Sequence, residues 1–488
     1  MIKENIVSIQ KSKSKDYPLP PFNPSKIFLE FQNFNLYKIK INKQNDIYSS
    51  VRKLLMDLEL DKKNIGTKKW NPFKDLIKKG QKVVIKPNLV MDTHPLGKKG
   101  VLCTITHASV IRPIIDYLLL ATKGKINITI CDVPLQSANW NNLIKISRLK
   151  DLVDYYEQRK VKINLLDLRY EIAIKNKEGL IIKKIKKIRD PKGYSIVNLG
   201  KGSALMPIIK YYKKLEITDY GSGTVLKHHN YEKNEYFISN TILNSDLFIN
   251  VPKLKTHQKA GITFAMKNLI GINGDKSWIA HHRSGSPKKG GDEYLKFRFK
   301  NLLKAIWVQL KKSKFRYLTK FSLKVYQKII LKGKTFAQSQ ISDLNIRGIT
   351  DGSWYGNDTL WRCIKDLNNI IFYANKKGKM KKQQQRKYFS IGDGIIAGDK
   401  EGPMENIPKP GGILIGGFNP VYIDRVAASI MGFDYQKIPQ IKNGFINQSW
   451  NLCRYTENEI IWKSNLKNVK ELNLKFVPPR YWVGHIEK

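Results

Sequence analysis

The densest concentration of chemistry-bearing side chains lies between residues 242 and 274, ILNSDLFINVPKLKTHQKAGITFAMKNLIGING. An apolar run, Leu247 to Val251, stops at Pro252, and Lys253, Lys255, His257 and Lys259 follow at alternate positions. Gly261, Thr263 and Ala265 make a small-residue turn before the pair Lys267–Asn268, and Gly271 and Gly274 close the stretch. Ammonium groups hold carboxylate or phosphate oxygens as point charges, and a carboxamide adds directed donors. An imidazole moves protons near neutral pH. The pattern therefore predicts work on a small anionic ligand. His257 and Lys267 are the candidate catalytic pair, with Lys253, Lys255 and Asn268 as anion contacts. The competing reading is a solvated basic loop, but a His, an Asn and several Gly at tight spacing suit a pocket lining better.

Other strand ends carry similar groups. QKVVIKPNLV is an apolar strand terminated by Lys86, Pro87 and Asn88, which places Lys86 and Asn88 among the anion contacts. His107 opens the apolar helical pattern ASVIRPIIDYLL and is a third catalytic candidate. INITICDVP is a strand ending in Asp132, a further contact candidate. In the last third, Asp393, Asp399, Glu401 and Asp424 fall on loops near strand ends. Unpaired carboxylates are expensive in a core. They are expected to be solvated, paired with the lysines, or bound to a divalent cation with Asp393, Glu401 and Asp424 as ligands.

The elements that position these residues read as strand, helix, strand, which implies a βαβ unit and a parallel sheet. The expected fold class is α/β: mostly parallel sheet with flanking helices, in two α/β lobes plus a basic helical insertion. Residues 1–45 read as an N-terminal extension and 46–275 as the first lobe. Residues 276–342 read as a loop and insertion, 343–440 as the second lobe and 441–488 as a tail. Residues 294–342 contain no Asp or Glu, and within them 300–332 have apolar positions at helical spacing opposite lysines. That is the pattern of a helix that lies on a membrane surface or docks on a partner, or of one packed across a sheet with a lysine-coated outside.

At 488 residues the chain has room for a large core and two or three domains. It has no run of about 18 apolar residues and no apolar leader at its start, so a cytoplasmic location is the default expectation. The formal charge of +48 fits an acidic partner, yet the lysines are spread over almost every segment. Sequence-specific nucleic-acid binding is not expected, since no reader motif is present. The four cysteines, Cys103, Cys131, Cys363 and Cys453, form no C-x-x-C, so no iron–sulfur cluster is expected from their spacing.

KPN at 86–88, the string HASVIRPIID from His107, NVPKLKTHQKAGITFAMKNLIG, and IGDGIIAGDKEGP with PVYIDRVAASIMG together resemble domain-of-unknown-function family 362, over roughly residues 80–435. The resemblance implies an α/β domain and no settled chemistry. Many relatives carry a ferredoxin-like cluster module, whose cysteines this chain lacks. The spacing of His257, Ala260, Gly261, Thr263, Lys267, Leu269 and Gly271 is also similar to a string in the nickel-pincer lactate racemase family. There a His and a Lys ten positions apart serve the nucleotide, the Lys tethering it covalently. That family's other metal and base histidines have no clear match here. The expectation is an enzyme for a small anionic substrate or cofactor, its reaction open between racemase-like proton transfer, phosphoryl chemistry and redox. The alternatives are a non-catalytic binder of an anionic polymer or membrane surface, and an accessory subunit for an acidic partner.

Overall fold

A computed structural model describes residues 2–32, 34, 40–175, 181–217, 223–293 and 351–488. Ten strands form one mixed, mostly parallel sheet. They are β1 (Ile6–Lys11), β2 (Lys82–Pro87), β3 (Asn127–Asp132), β4 (Ile163–Asp167) and β5 (Leu247–Val251). The rest are β6 (Lys253–His257), β7 (Gly261–Thr263), β8 (Lys387–Asp399), β9 (Ile407–Gly417) and β10 (Ile461–Ser464). The path runs β10-β1-β9-β8-β5-β2-β3-β4, with β6 pairing both β7 and β8.

Central strands of a parallel sheet are covered on both faces and so read as continuous apolar runs. All five residues of β5 are buried, as are five of the six in β2. Their side chains alternate between two cores. Val83, Ile85, Leu247 and Ile249 pack with Val51 and Leu54 of α1 (Asp46–Asp57) and Ile114 and Leu118 of α2 (Ala108–Thr122). Val84 and Phe248 pack on the other face with Ile364 and Leu367 of α3 (Leu360–Tyr373) and Val426 of α4 (Pro420–Met431). Each such side chain contributes roughly 1.5–3 kcal/mol on burial. The helices start where the chain tells them to. Asn419 caps α4 by accepting from Val421 N and Tyr422 N, and Pro420 takes the first turn, where its missing N–H is harmless.

The α/β class with a mostly parallel sheet is as the sequence implies. The strands assigned to two lobes, however, run together in this single sheet: β5 lies beside β8 in register from Leu247↔Lys387 to Asn250↔Ser390. The segment read as an extension supplies β1, and the tail supplies β10, which pairs with it in parallel. Residues 300–332, with the amphipathic pattern, lie outside the described residues.

Strand order reverses at the centre. From β2 the chain adds β3 and β4 to one side, then returns to place β5 and β8 on the other. In open α/β sheets, ligands bind outside the carboxyl ends of the strands at such a switch point.

Candidate functional site

The switch point is built from the ends of β2, β3 and β5 and from the chain that follows β5. Pairing of the two central strands ends at Val251↔Pro87, where Thr106 bridges them: its Oγ1 donates to Val251 O at 2.6 Å and accepts from Asn88 N at 2.9 Å. Lys86, almost wholly buried, pairs with Asp132 at 2.7 Å from the end of β3. Asp132 also accepts from Leu89 N at 2.6 Å and Val133 N at 2.8 Å. Gly271 lies flat against this pair. A Cβ there would sit 2.3 Å from Asp132 Oδ1 and 2.5 Å from Lys86 Nζ, so only glycine fits.

After β5 the backbone makes the β6–β7 hairpin, closed by the pair His257↔Gly261, where Gly261 has φ +75°. The turn that follows is clamped on both sides of Lys267. Asp424 accepts from Ala265 N at 2.6 Å and Met266 N at 3.1 Å, and Asn368 Nδ2 donates to Met266 O at 3.1 Å. On the other side Asn268 Nδ2 donates to Asn250 Oδ1 at 2.7 Å, while its Oδ1 accepts from Lys86 Nζ at 3.1 Å. Buried polar groups thus fix the backbone that carries one amine.

That amine is free. Lys267, partly buried, makes no hydrogen bond or ion pair with any described residue. Burial lowers its pKa, and the charges of Lys259 and Lys86 lower it further, to about 7. Two other buried amines have only main-chain partners among the described residues. Lys255 Nζ donates to Thr104 O at 2.7 Å and Pro403 O at 3.2 Å, and Lys276 Nζ donates to Ile270 O at 2.7 Å. Burial, then the Lys267 charge, holds Lys255 well below the ordinary lysine range. Burial brings Lys276 to about 7, with Lys86 and Lys267 opposing the pull of Asp132. Ammonium groups leave water at a cost of several kcal/mol each unless an anion compensates.

Two imidazoles face the same charges. His257 Nδ1 accepts from Lys259 N at 3.0 Å, which assigns the proton of the neutral ring to Nε2, and that N–H meets no described acceptor. Burial and then Lys267 push His257 well below its usual range; burial, Lys259 and Lys267 take His281 to about 3. Thr263 Oγ1, opposite Lys255 in the hairpin, His281 Nδ1 and Asn88 Oδ1 are buried without hydrogen-bond partners among the described residues. Buried polar atoms are nearly always satisfied in folded proteins, so such atoms beside uncompensated amines point to a polar ligand.

A family model described as Domain of unknown function (DUF362) matches residues 83–201 and 208–429. The chain belongs to that family. No curated protein matches it. The DUF362 match takes in β2 to β5, the hairpin, β8, β9 and most of α4, and with them every residue of the cluster. The strands β1 and β10, which pair at one edge, lie outside it.

Not every candidate of this DUF362 chain reaches the cluster. Lys253 is wholly buried and pairs with Asp393 at 3.1 Å, under Tyr17, whose hydroxyl donates to Asp393 at 2.8 Å. His107 caps α2 by accepting from Ser109 N, donates its own N–H to Asp393 at 3.0 Å, and stacks on Tyr17 at 4.1 Å. Burial, then Lys253, holds its imidazole well below the usual range. These groups form a second, satisfied network.

The three carboxylates proposed as metal ligands have separate duties. Asp393 compensates Lys253, Glu401 accepts from Gln258 Nε2 and Arg480 N at 2.8 Å each, and Asp424 holds the turn before Lys267. Burial lifts Asp424 to about 8 against the pull of its two N–H donors. Among the described residues no group of three His, Cys, Asp or Glu side chains is placed to hold a metal ion. Of the residues that carry the likeness to the nickel-pincer string, Lys267 and His257 lie in the cluster, and among the described residues His281 is a second imidazole facing the same charges.

Sequence reasoning left Lys276, His281 and Thr263 out of the candidate site. Lys276 follows Asp275, which caps its own short turn by accepting from Ser277 N, and His281 sits in the segment read as the loop and insertion of residues 276–342. The available signal was their nearness in sequence to Lys267.

Proposed function

We propose that the chain is an enzyme acting on a small anionic substrate, bound at the carboxyl edge of the sheet between β2 and β5. One observation carries this reading: the buried Lys255 and Lys276 and the partly buried Lys267 lie within reach of one another's charge, with no carboxylate partner among the described residues. A fold that gathers like charges in a low-dielectric crevice is completed by a ligand of opposite charge. Lys255 and Lys276, with Lys86 behind them, hold the anionic group. Lys267, near neutral, acts as base or nucleophile, and the His257 Nε2–H donates to a substrate oxygen. Lys253, His107 and Asp132 support this arrangement as structure and do not touch the substrate.

The reading predicts that sulfate, inorganic phosphate or malonate stabilises the protein at constant ionic strength. The gain follows mass action, about 2.7 kcal/mol at a hundredfold excess over Kd. Thermal unfolding checks it. An equal effect from sodium chloride at matched ionic strength would show general screening of the +48 charge, and the crevice would lose its claim.

A further inference from the structure

We propose that Lys267 forms an imine with the carbonyl carbon of a small anionic oxo compound, a 2-oxo acid being the simplest member of the class. This rests on reading the crevice as an anion site and goes further, naming the bond made and the second functional group the substrate must carry.

The geometry points to covalent rather than purely electrostatic use of this amine. An ammonium meant only to attract would be served by main-chain carbonyl acceptors like those that hold Lys255 and Lys276. Lys267 alone of the three has no such tie among the described residues, and its backbone is pinned by Asp424 and Asn368 before it and Asn268 after it. A fixed root with an unbonded tip is what a nucleophile needs to meet one carbon atom reproducibly. Its surroundings are cationic and largely dry, the setting in which a lysine keeps a free electron pair near neutral pH. The anionic group of the substrate would lie on Lys255 and Lys276, which leaves the carbonyl toward Lys267.

The step balances with groups on the page. The neutral Lys267 amine adds to the carbonyl carbon, and the proton it sheds passes to the carbonyl oxygen, giving a carbinolamine. The His257 Nε2–H steadies that oxygen as charge builds on it. The carbinolamine then loses its hydroxyl with a proton from the Lys276 ammonium, releasing one water and leaving a protonated imine. No oxidant or reductant enters. The positive nitrogen can draw electrons from the neighbouring carbon–hydrogen or carbon–carboxylate bond, a use consistent with proton transfer beside a carboxylate.

The test is reductive trapping on the full chain. The protein is mixed with glyoxylate and cyanoborohydride near pH 7.5, quenched at short times, and mapped by peptide mass spectrometry. Propionaldehyde serves as the uncharged carbonyl control and sulfate as competitor. The expected result is labelling of Lys267 at least about tenfold faster than the median surface lysine, because a surface amine near pKa ~10.4 is almost wholly protonated there. Sulfate should slow it, and propionaldehyde, which meets the same free amine but not the anion contacts, should show a clearly smaller preference. The Lys267→Arg and Lys267→Met variants should lose the fast site while other lysines label as before. If sulfate still stabilises the protein but Lys267 labels no faster than the surface, the imine is overturned and the anion site stands. If sulfate neither stabilises nor protects, both fall. Fast labelling that is the same with propionaldehyde overturns the substrate class.

Discussion

Asp393→Ala is expected to lower folding stability by about 3–5 kcal/mol, the usual result of removing one partner of a buried ion pair. Lys253 and Asp393 are both wholly enclosed, and the carboxylate also accepts from His107 N and the Tyr17 hydroxyl. Its loss strands an ammonium, a hydroxyl and the first N–H of the α2 cap together. Chelators should not change the size of the effect, because the lost contact is the ion pair with Lys253. The double variant Lys253→Met/Asp393→Leu should recover most of the loss, since an apolar pair of similar volume has no charge to compensate. Urea unfolding checks all three. A loss under about 1 kcal/mol for Asp393→Ala, or a loss abolished by chelation, would contradict this assignment.

Lys267→Met should do the opposite: stabilise the unliganded protein while weakening its response to anions. Functional sites hold groups that the bare fold would be better without, and replacing one commonly adds about 0.5–2 kcal/mol. The sign with pH is specific. Lys267 is lowered in the fold to about 7 from the ordinary lysine value of 10.5. Between those values the unfolded chain binds a proton that the fold does not, so wild-type stability rises with pH across that window. Below about pH 7 the amine is charged in both states and its full penalty is present. The advantage of the variant should therefore be largest near pH 6 and fade toward pH 10. Sulfate affinity should fall at least about tenfold, and the imidazoles of His257 and His281 should titrate higher once the nearby charge is gone. A lysine with a merely structural role would give a destabilised variant across the whole range.

Much of this arrangement is legible in the chain alone. The strands β2, β3 and β5 are short apolar runs with turn signals behind them, and period-two alternation puts Lys253, Lys255 and His257 on one side of β6. The dense stretch from Lys253 to Gly274 does lie at the carboxyl edge of the sheet. What alternation cannot tell is which partner waits on that side. Lys253 meets Asp393 from 140 residues away and Tyr17 from 236, so it is neutralised, while Lys255 on the same face meets only carbonyls. Composition suggested one acidic patch, yet Asp393, Glu401 and Asp424 face different segments because their strands and helix enter the fold at different places. The single sheet was hidden for a similar reason. The pairing of β5 with β8, and of β1 with β10, depends on register between segments distant in sequence, and local pattern carries no record of it.

On the proposed reading, the carboxyl edge of β2 and β5 stores amines that an anion must charge. Calorimetric titration of the full chain with sulfate, at pH 8 in two buffers of different ionisation enthalpy, measures it directly. Sulfate stays fully ionised there, so any proton exchange belongs to the protein. Lys267 and Lys276, each near 7 without ligand, are mostly neutral at pH 8 and should be drawn to the charged form by a bound dianion. Binding should take up roughly one to two protons at pH 8 and far fewer at pH 6, where the amines already carry theirs. Saturable binding with no proton uptake at pH 8, or uptake that does not change between the two pH values, would contradict the account.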